Sequence, residues 1–436
     1  IIGTGGREGR PLASLNQTPS GERLHISIFG RRNSGKSSLI NALTGQDIAI
    51  VSDVPGTTTD PVSKAMEILP LGPVVMTDTA GLDDVGELGA RRVERSLKVL
   101  ERTDLAILVL DCTREPSPEE DRLAGDIAAR GIPLVAVANK CDLADPAPWE
   151  KWAAERKLPF AAVSAVRGEG INSLKGLLIR HAPASGDQTI VGDLVSPGDV
   201  VVLVTPIDQA APKGRLILPQ VMTIRDVLDQ GALAVVTRER ELKQAIEGLQ
   251  RPPRLVITDS QAFLKAVADT PPGVLFTSFS ILMARYRGDL EGFVRGSKYI
   301  DRLRPGSRVL IAEACTHHTQ PDDIGKVQIP RWLRQYVGGE LEFGFANGRD
   351  FPKDVSRYDL IIHCGSCMIT RREVIWRQHQ AAELGIPMTN YGVALAKVHG
   401  ILERALEPFP LARLALDEPE EADRQWRPLQ LTGGIR

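Results

Sequence analysis

GRRNSGKS, residues 30–37, follows the apolar run HISIF and precedes SLINAL, a strand pattern on one side and a helix pattern on the other. In that setting GxxxxGK[ST] is a phosphate-binding loop, and a strand–loop–helix start predicts an α/β fold built on a parallel sheet. Gly30 and Gly35 let the backbone turn its amides, with those of Asn33, Ser34, Lys36, Ser37 and Ser38, toward phosphate oxygens. Lys36 supplies a point charge, and the hydroxyl of Ser37 can ligate magnesium.

Working outward, PGTTTD (55–60), DTAG (78–81), NKCD (139–142) and VSA (163–165) follow in order. Asp78, at a strand end, can hold the magnesium shell, and the amide of Gly81 can sense the terminal phosphate. Thr58 is the expected switch threonine on magnesium, with Thr57 its close competitor. Asp142 can accept two hydrogen bonds from guanine that adenine cannot offer, and Asn139, Lys140 and the Ser164–Ala165 turn complete that pocket. The expected ligand is therefore GTP with magnesium. A decayed phosphate loop that no longer binds nucleotide would not keep every one of these positions filled.

The alternation of short apolar strands with helical stretches such as ARRVERSLKVLE continues to about residue 182, predicting a GTPase domain over 23–182 after a disordered segment 1–22. APASGDQTIVGD reads as a linker. DVVVLVTP, TIRDVLDQ, ALAVVT, RELKQAIEGL, RLVITDS and QAFLKAVA repeat the alternation and predict a small α/β domain over 188–273. A third, over 274–417, carries the strands RVLIAEAC and YDLIIHC and is followed by a mobile tail, 418–436. The expected fold class is thus α/β, a P-loop GTPase domain followed by two further small α/β domains with mainly parallel sheets.

The longest apolar runs, AILVL and VVVLV, are far too short to cross a bilayer. With 53 basic against 55 acidic residues, bulk charge gives no argument for a nucleic-acid groove. RYRGDLEGFVRGSKYIDRLR and ITRREVIWR hold local basic residues, but interleaved Glu and Asp make them read as ordinary solvated faces. The chain begins IIGTGG, without Met or a signal-peptide profile, so part of the natural N-terminus is expected to be missing. An odd count of five cysteines does not suggest a disulfide framework, and a cytoplasmic location follows.

Both third-segment strands end in cysteine, Cys315 in CTHHTQPDDIG and Cys364 in HCGSC, which also holds Cys367. If those strands are neighbours, the thiols meet at their carboxyl ends. Cys112 and Cys141 read as packed or incidental thiols. Three thiolates and a histidine suit zinc as well as an iron–sulfur cluster, and spacing does not choose between them. His317, two residues after Cys315, and His363 compete for a fourth position. His318 is equally a hydrogen-bonding partner, and Asp322 and Asp323 can cap a turn. A dithiol redox role would not need Cys315.

The GTPase segment resembles the TrmE and Era group. That resemblance implies potassium at Asn33 and, because Leu82 stands where a catalytic glutamine would, slow hydrolysis stimulated by potassium. CTHH, DDIGKVQIPRWL, DFPKDVSRYDLIIHCGSCM and TNYGVALA, together with the GTPase and middle segments, resemble the HydF family of iron-iron (FeFe) hydrogenase maturation GTPases over nearly the whole chain. The family pattern CxH followed by HCxxC is met by Cys315, His317, His363, Cys364 and Cys367. The resemblance implies a four-iron four-sulfur cluster on the three cysteines, with one iron exchangeable or held by a non-cysteine ligand such as His317. It also implies a transient two-iron precursor loaded with the help of the radical-SAM maturases HydE and HydG and delivered to apo FeFe hydrogenase, and a homodimer formed through the middle domain. Neither a nucleic acid nor a membrane is an expected partner. The competing reading is an RNA- or ribosome-associated GTPase of the Era and TrmE type with a structural zinc.

Overall fold

The computed structural model describes residues 18–44, 62–68, 71–79, 98–183, 188–206, 216–314, 323–348, 351–352 and 354–419. Thr57, Thr58, Gly81, Leu82, Cys315, His317, His318 and Asp322 lie outside them, as do most of 1–22 and of the tail. The chain divides into two compact units, Ile1–Ala182 and Pro183–Arg436.

The first unit is a six-stranded sheet of β1 (Leu24–Gly30), β2 (Val62–Ile68), β3 (Gly72–Asp78), β4 (Leu105–Asp111), β5 (Leu134–Asn139) and β6 (Phe160–Val163) in the order β2-β3-β1-β4-β5-β6. All pairs are parallel except β2 with β3, an antiparallel edge that VSKAMEI did not announce because its apolar positions are sparse. β4 is buried at every position, as a central parallel strand must be. Its alternation sends Leu105, Ile107 and Val109 into one core with Leu39 and Leu43, and Ala106, Leu108 and Leu110 into the other with Trp149 and Trp152. Each buried Leu or Ile contributes about 1.5–3 kcal/mol. β1 and β3 thereby end side by side at the phosphate loop and Asp78.

The second unit holds two four-stranded sheets, both wholly parallel. β7 (Val200–Val204), β8 (Leu233–Thr237), β9 (Leu255–Thr258) and β10 (Leu275–Ser278) run in the order β10-β9-β7-β8. β10 pairs with β9, so the boundary expected at 273/274 falls inside this sheet. β11 (Arg308–Glu313), β12 (Glu342–Asn347), β13 (Leu360–His363) and β14 (Met388–Asn390) run in the order β12-β11-β13-β14. The strands before the two cysteine motifs, β11 and β13, are direct neighbours, with Ala312 opposite His363. One continuous apolar cluster serves both sheets, from Val201 and Val256 to Ile311 and Ile361. The helix Phe279–Arg287 is buried nearly all round, with Phe279, Ile281, Leu282, Met283 and Ala284 inside, which marks it as a core element shared between the sheets.

Candidate GTP site and candidate metal centre

At the phosphate loop the glycines are required by contact. A Cβ on Gly30, which has φ 151°, would lie 2.4 Å from the carbonyl oxygen of Val109, and one on Gly35, at φ 89°, 2.2 Å from Asn139 Nδ2. Asn33 adopts φ 64°, which asparagine tolerates. Lys36 is buried and its Nζ donates to the carbonyls of Gly30 (3.1 Å) and Arg31 (2.8 Å), so the charge is held inside the loop that would surround a phosphate. Ser34 is buried with no partner for its Oγ among the described residues, whereas Asn33, Ser37 and Ser38 are exposed.

Ser37 Oγ donates to Asp78 Oδ2 at 2.5 Å, bringing the two expected magnesium groups together. Asp78 Oδ1 is buried with no partner among the described residues. Burial pushes its carboxyl up, against the opposing pull of the Ser37 bond and the Lys36 charge. An orphaned buried carboxylate oxygen beside a hydroxyl fits a hard divalent cation. Glu120 accepts from Arg31 Nη2 at 2.5 Å and caps its own helix through Ser117, tying the loop to Pro118–Ala129.

At the base end, Asn139 acts as a strut. Its Nδ2 donates to the carbonyl of Ser34 at 2.9 Å and its Oδ1 accepts from the amide of Ala165 at 3.0 Å. The asparagine thus spans the phosphate loop and the Ser164–Ala165 turn, a link that its distance in sequence from Ser34 concealed. Lys140, at φ 67°, donates to Asp111 Oδ2 at 2.6 Å. Asp142 lies 3.8 Å from Arg167 Nε, whose own amide donates to Ser164 Oγ at 3.2 Å. NKCD and VSA therefore form one assembled turn at the ends of β5 and β6.

In the second unit, Cys364 and Cys367 lie just past β13. The amides of Ala314 and Ser366 donate to Cys364 Sγ at 3.1 and 3.5 Å, so the residue before Cys315 touches the Cys364 thiol. Burial pushes both thiols up, Cys367 to about 12, so as bare thiols they stay protonated. A cation that displaces those protons, with amide-to-sulfur bonds to steady the thiolate, matches this donor set. Among the described residues no group of three candidate ligands converges, Cys315 and His317 lying outside them.

His363 is fully buried (0% exposed), and burial together with the Arg377 charge pushes its pKa down to about 3, so the ring is neutral. Its Nε2 meets Arg377 Nη1 at 2.9 Å. Tyr391 donates to Glu313 Oε1 at 3.3 Å beneath the same strand ends, and burial pushes its hydroxyl well up. Asp323 caps the following turn, accepting from the amides of Gly325 and Lys326, both at 2.9 Å.

The expectation of ordinary solvated faces at ITRREVIWR and RYRGDLEGFVRGSKYIDRLR is corrected. Arg377 (1% exposed), Glu373, Arg287, Asp289 and Arg295 are buried. Arg371 Nη1 bonds the carbonyls of Arg285, Tyr286 and Gly288. Charge count misled at these positions because the buried guanidiniums of Arg295 and Arg377 have carboxylate partners, while Arg302 and Arg304 do stand on an exposed face. Cys112 is buried and Cys141 half-buried, both unbridged, in the first unit. Among the described residues no helix is long and apolar enough to cross a membrane.

Comparison with known proteins agrees with this layout. Residues 25–140 match a 50S ribosome-binding GTPase family. Over 166 residues the chain is 37% identical to GTPase Der of Kosmotoga olearia, covering 35% of this chain and 37% of that protein. It is 39% identical over 166 residues to the tRNA modification GTPase MnmE of Burkholderia orbicola, covering 37% of this chain and 35% of that one. The match thus spans little more than a third of these curated relatives' length. Among solved structures, the G domain of the T. maritima FeoB iron transporter matches with a TM-score of 0.31 at 23% identity, covering 37% of this chain and 99% of that one. The second unit matches a different source: residues 190–288 the hydrogen maturase F dimerization domain and residues 291–408 the hydrogen maturase F tetramerization domain. With a P-loop GTPase domain ahead of both, the chain belongs to the hydrogen maturase F family.

Proposed function

We propose that this chain is a GTP-hydrolysing iron–sulfur scaffold that carries a two-iron precursor and delivers it to apo FeFe hydrogenase. The observation that carries the reading is the direct pairing of β11 with β13, which brings Ala314, the neighbour of Cys315, onto the Cys364 thiol in a chain of the hydrogen maturase F family. Cys315, Cys364 and Cys367 would hold a four-iron four-sulfur cluster, with His317 or an exchangeable ligand at the fourth iron. A carrier must hold its cargo less tightly than the acceptor does, and a labile coordination position meets that need. The two-iron unit is cargo, received with the help of HydE and HydG.

In the GTPase unit, Lys36 and the loop amides hold the phosphates. Ser37, Asp78 and Thr58 or Thr57 serve magnesium, Gly81 contacts the terminal phosphate, and Asp142 reads guanine. Asn33 would take potassium, and with Leu82 in place of a glutamine hydrolysis would be slow and potassium-stimulated. Hydrolysis then changes partner affinity or arrangement instead of acting on the cluster. The family's dimerization and tetramerization domains support a homodimer and further assembly.

Protein purified without air and assayed for iron, zinc and acid-labile sulfide tests this reading. Iron and sulfide in equal amounts are expected. Zinc without sulfide would overturn the scaffold role and leave a GTPase with a structural zinc.

A further inference from the structure

His363 precedes the first cysteine of HCGSC, a place that invites its use as a ligand, yet both of its ring nitrogens are committed inside the fold. Arg377 Nη1 lies 2.9 Å from Nε2. A guanidinium can only donate, so Nε2 is the acceptor and the ring proton sits on Nδ1. Nδ1 in turn lies 3.0 Å from the carbonyl oxygen of Cys364 and 3.0 Å from Ser366 Oγ, and the Ser366 hydroxyl donates to that same carbonyl at 3.2 Å. Asn390 Nδ2 completes the ring of donors around it at 3.1 Å.

The loop needs this support. Ser366 sits at φ 59°, a left-handed conformation that is unfavourable for a residue with a Cβ, and that turn sets where Cys367 falls relative to Cys364. Behind the histidine, Arg377 is held by Glu373 Oε1 at 2.7 Å and the carbonyl of Gly348 at 3.1 Å, with its guanidinium over the Phe351 ring. Turning His363 toward a metal would strip a buried guanidinium of an acceptor, which is costly.

We propose that His363 is a positioning residue and not a ligand: it is a buried spacer that carries the Arg377 anchor through to Ser366 and the Cys364 carbonyl and so fixes the two-cysteine loop. The assignment rests on Cys364 and Cys367 being metal ligands.

The test uses the full chain, anaerobically reconstituted with iron and sulfide, as wild type, His363→Asn, His317→Asn and Ser366→Gly. Two readouts are followed: iron loss to a chelator, and nitrogen hyperfine coupling to the reduced cluster in protein carrying ¹⁵N-histidine. His363→Asn and Ser366→Gly should each release iron about 10- to 100-fold faster, while any histidine coupling seen in wild type persists in His363→Asn. Ser366→Gly tolerates the left-handed turn and removes the hydroxymethyl group with its hydrogen bonds to His363 and the Cys364 carbonyl, so it reports on the network even if His363→Asn folds poorly. Histidine coupling lost in His363→Asn but kept in His317→Asn would overturn the proposal, as would unchanged iron release in both loop variants. If wild type takes up no iron–sulfur cluster, the scaffold reading fails on its own. Cobalt(II) titration of the thiolates then reads the same positioning effect, expected as weakened binding in both loop variants, and equal affinity in all four chains would overturn it.

Discussion

The nucleotide site and the cysteine site solve opposite problems with similar parts. Both sit where parallel strands end, and both rely on backbone amides. The phosphate loop gathers positive charge and donors around a place meant for a highly charged, water-soluble ligand, with Lys36 held by two carbonyls and Asp78 keeping one oxygen unbonded among the described residues. The cysteine loop does the reverse: it holds two half-buried thiols that stay protonated as bare thiols, with a neutral histidine and a paired guanidinium behind them. One site is polar and ready for an exchanging ligand. The other suits a soft cation that replaces the thiol protons.

That contrast can be broken most decisively at Lys36. Lys36→Ala should cut GTP turnover about 100- to 1000-fold while iron and sulfide content stay at the wild-type level. Loss of the cluster in this variant would show that the two sites do not work independently.

A second prediction separates base reading from phosphate binding. Asp142→Asn should weaken GTP by about 1.5–3 kcal/mol, the range for a hydrogen bond to a charged group, and shift preference toward a xanthine nucleotide, whose 2-oxo group accepts from the new amide. Isothermal titration with both nucleotides checks it, and an unchanged GTP affinity would remove Asp142 from the pocket.

The smallest effect concerns Asp111 under Lys140. Burial pushes its carboxyl up, but the bonds from Lys140 and Thr113 outweigh that and leave it below the usual 3.8. A depressed carboxylate stabilises the fold above about pH 4, and the contribution fades as pH falls through the lower folded value. Asp111→Asn should therefore cost about 1 kcal/mol at pH 7, and the melting temperatures of variant and wild type should draw together as the pH falls below the usual carboxylate range. A constant gap across that range would mean that Asp111 acts through packing alone.

The nucleotide half was legible because its chemistry is local: a strand, a glycine loop and a helix lie consecutively in GRRNSGKS, and each later motif sits at a strand end. What sequence did not reveal there is the Asn139 strut, since nothing in NKCD shows that its asparagine reaches Ser34. In the second unit, RVLIAEAC and YDLIIHC announced themselves as strands, but their adjacency depends on crossovers that no local pattern encodes. β12 and β14 were missed because EFGFAN holds a glycine and MTN is short. Arg377 was misread for a clearer reason. Basic residues at helical spacing look alike whether they meet water or a buried histidine, and only the fold tells them apart.

The helix Phe279–Arg287 follows directly from β10 and packs against Leu218–Asp229, Arg371–Glu383 and Tyr391–Val398. It works as a keystone. Excising the tetramerization portion would bare the side of this helix that packs on Arg371–Glu383 and Tyr391–Val398, at about 1.5–3 kcal/mol for each apolar side chain exposed, and excising the dimerization portion would remove the helix from beneath those two. A cut between residues 288 and 291 therefore divides one apolar cluster, and the two pieces expressed apart should be less soluble than the intact second unit.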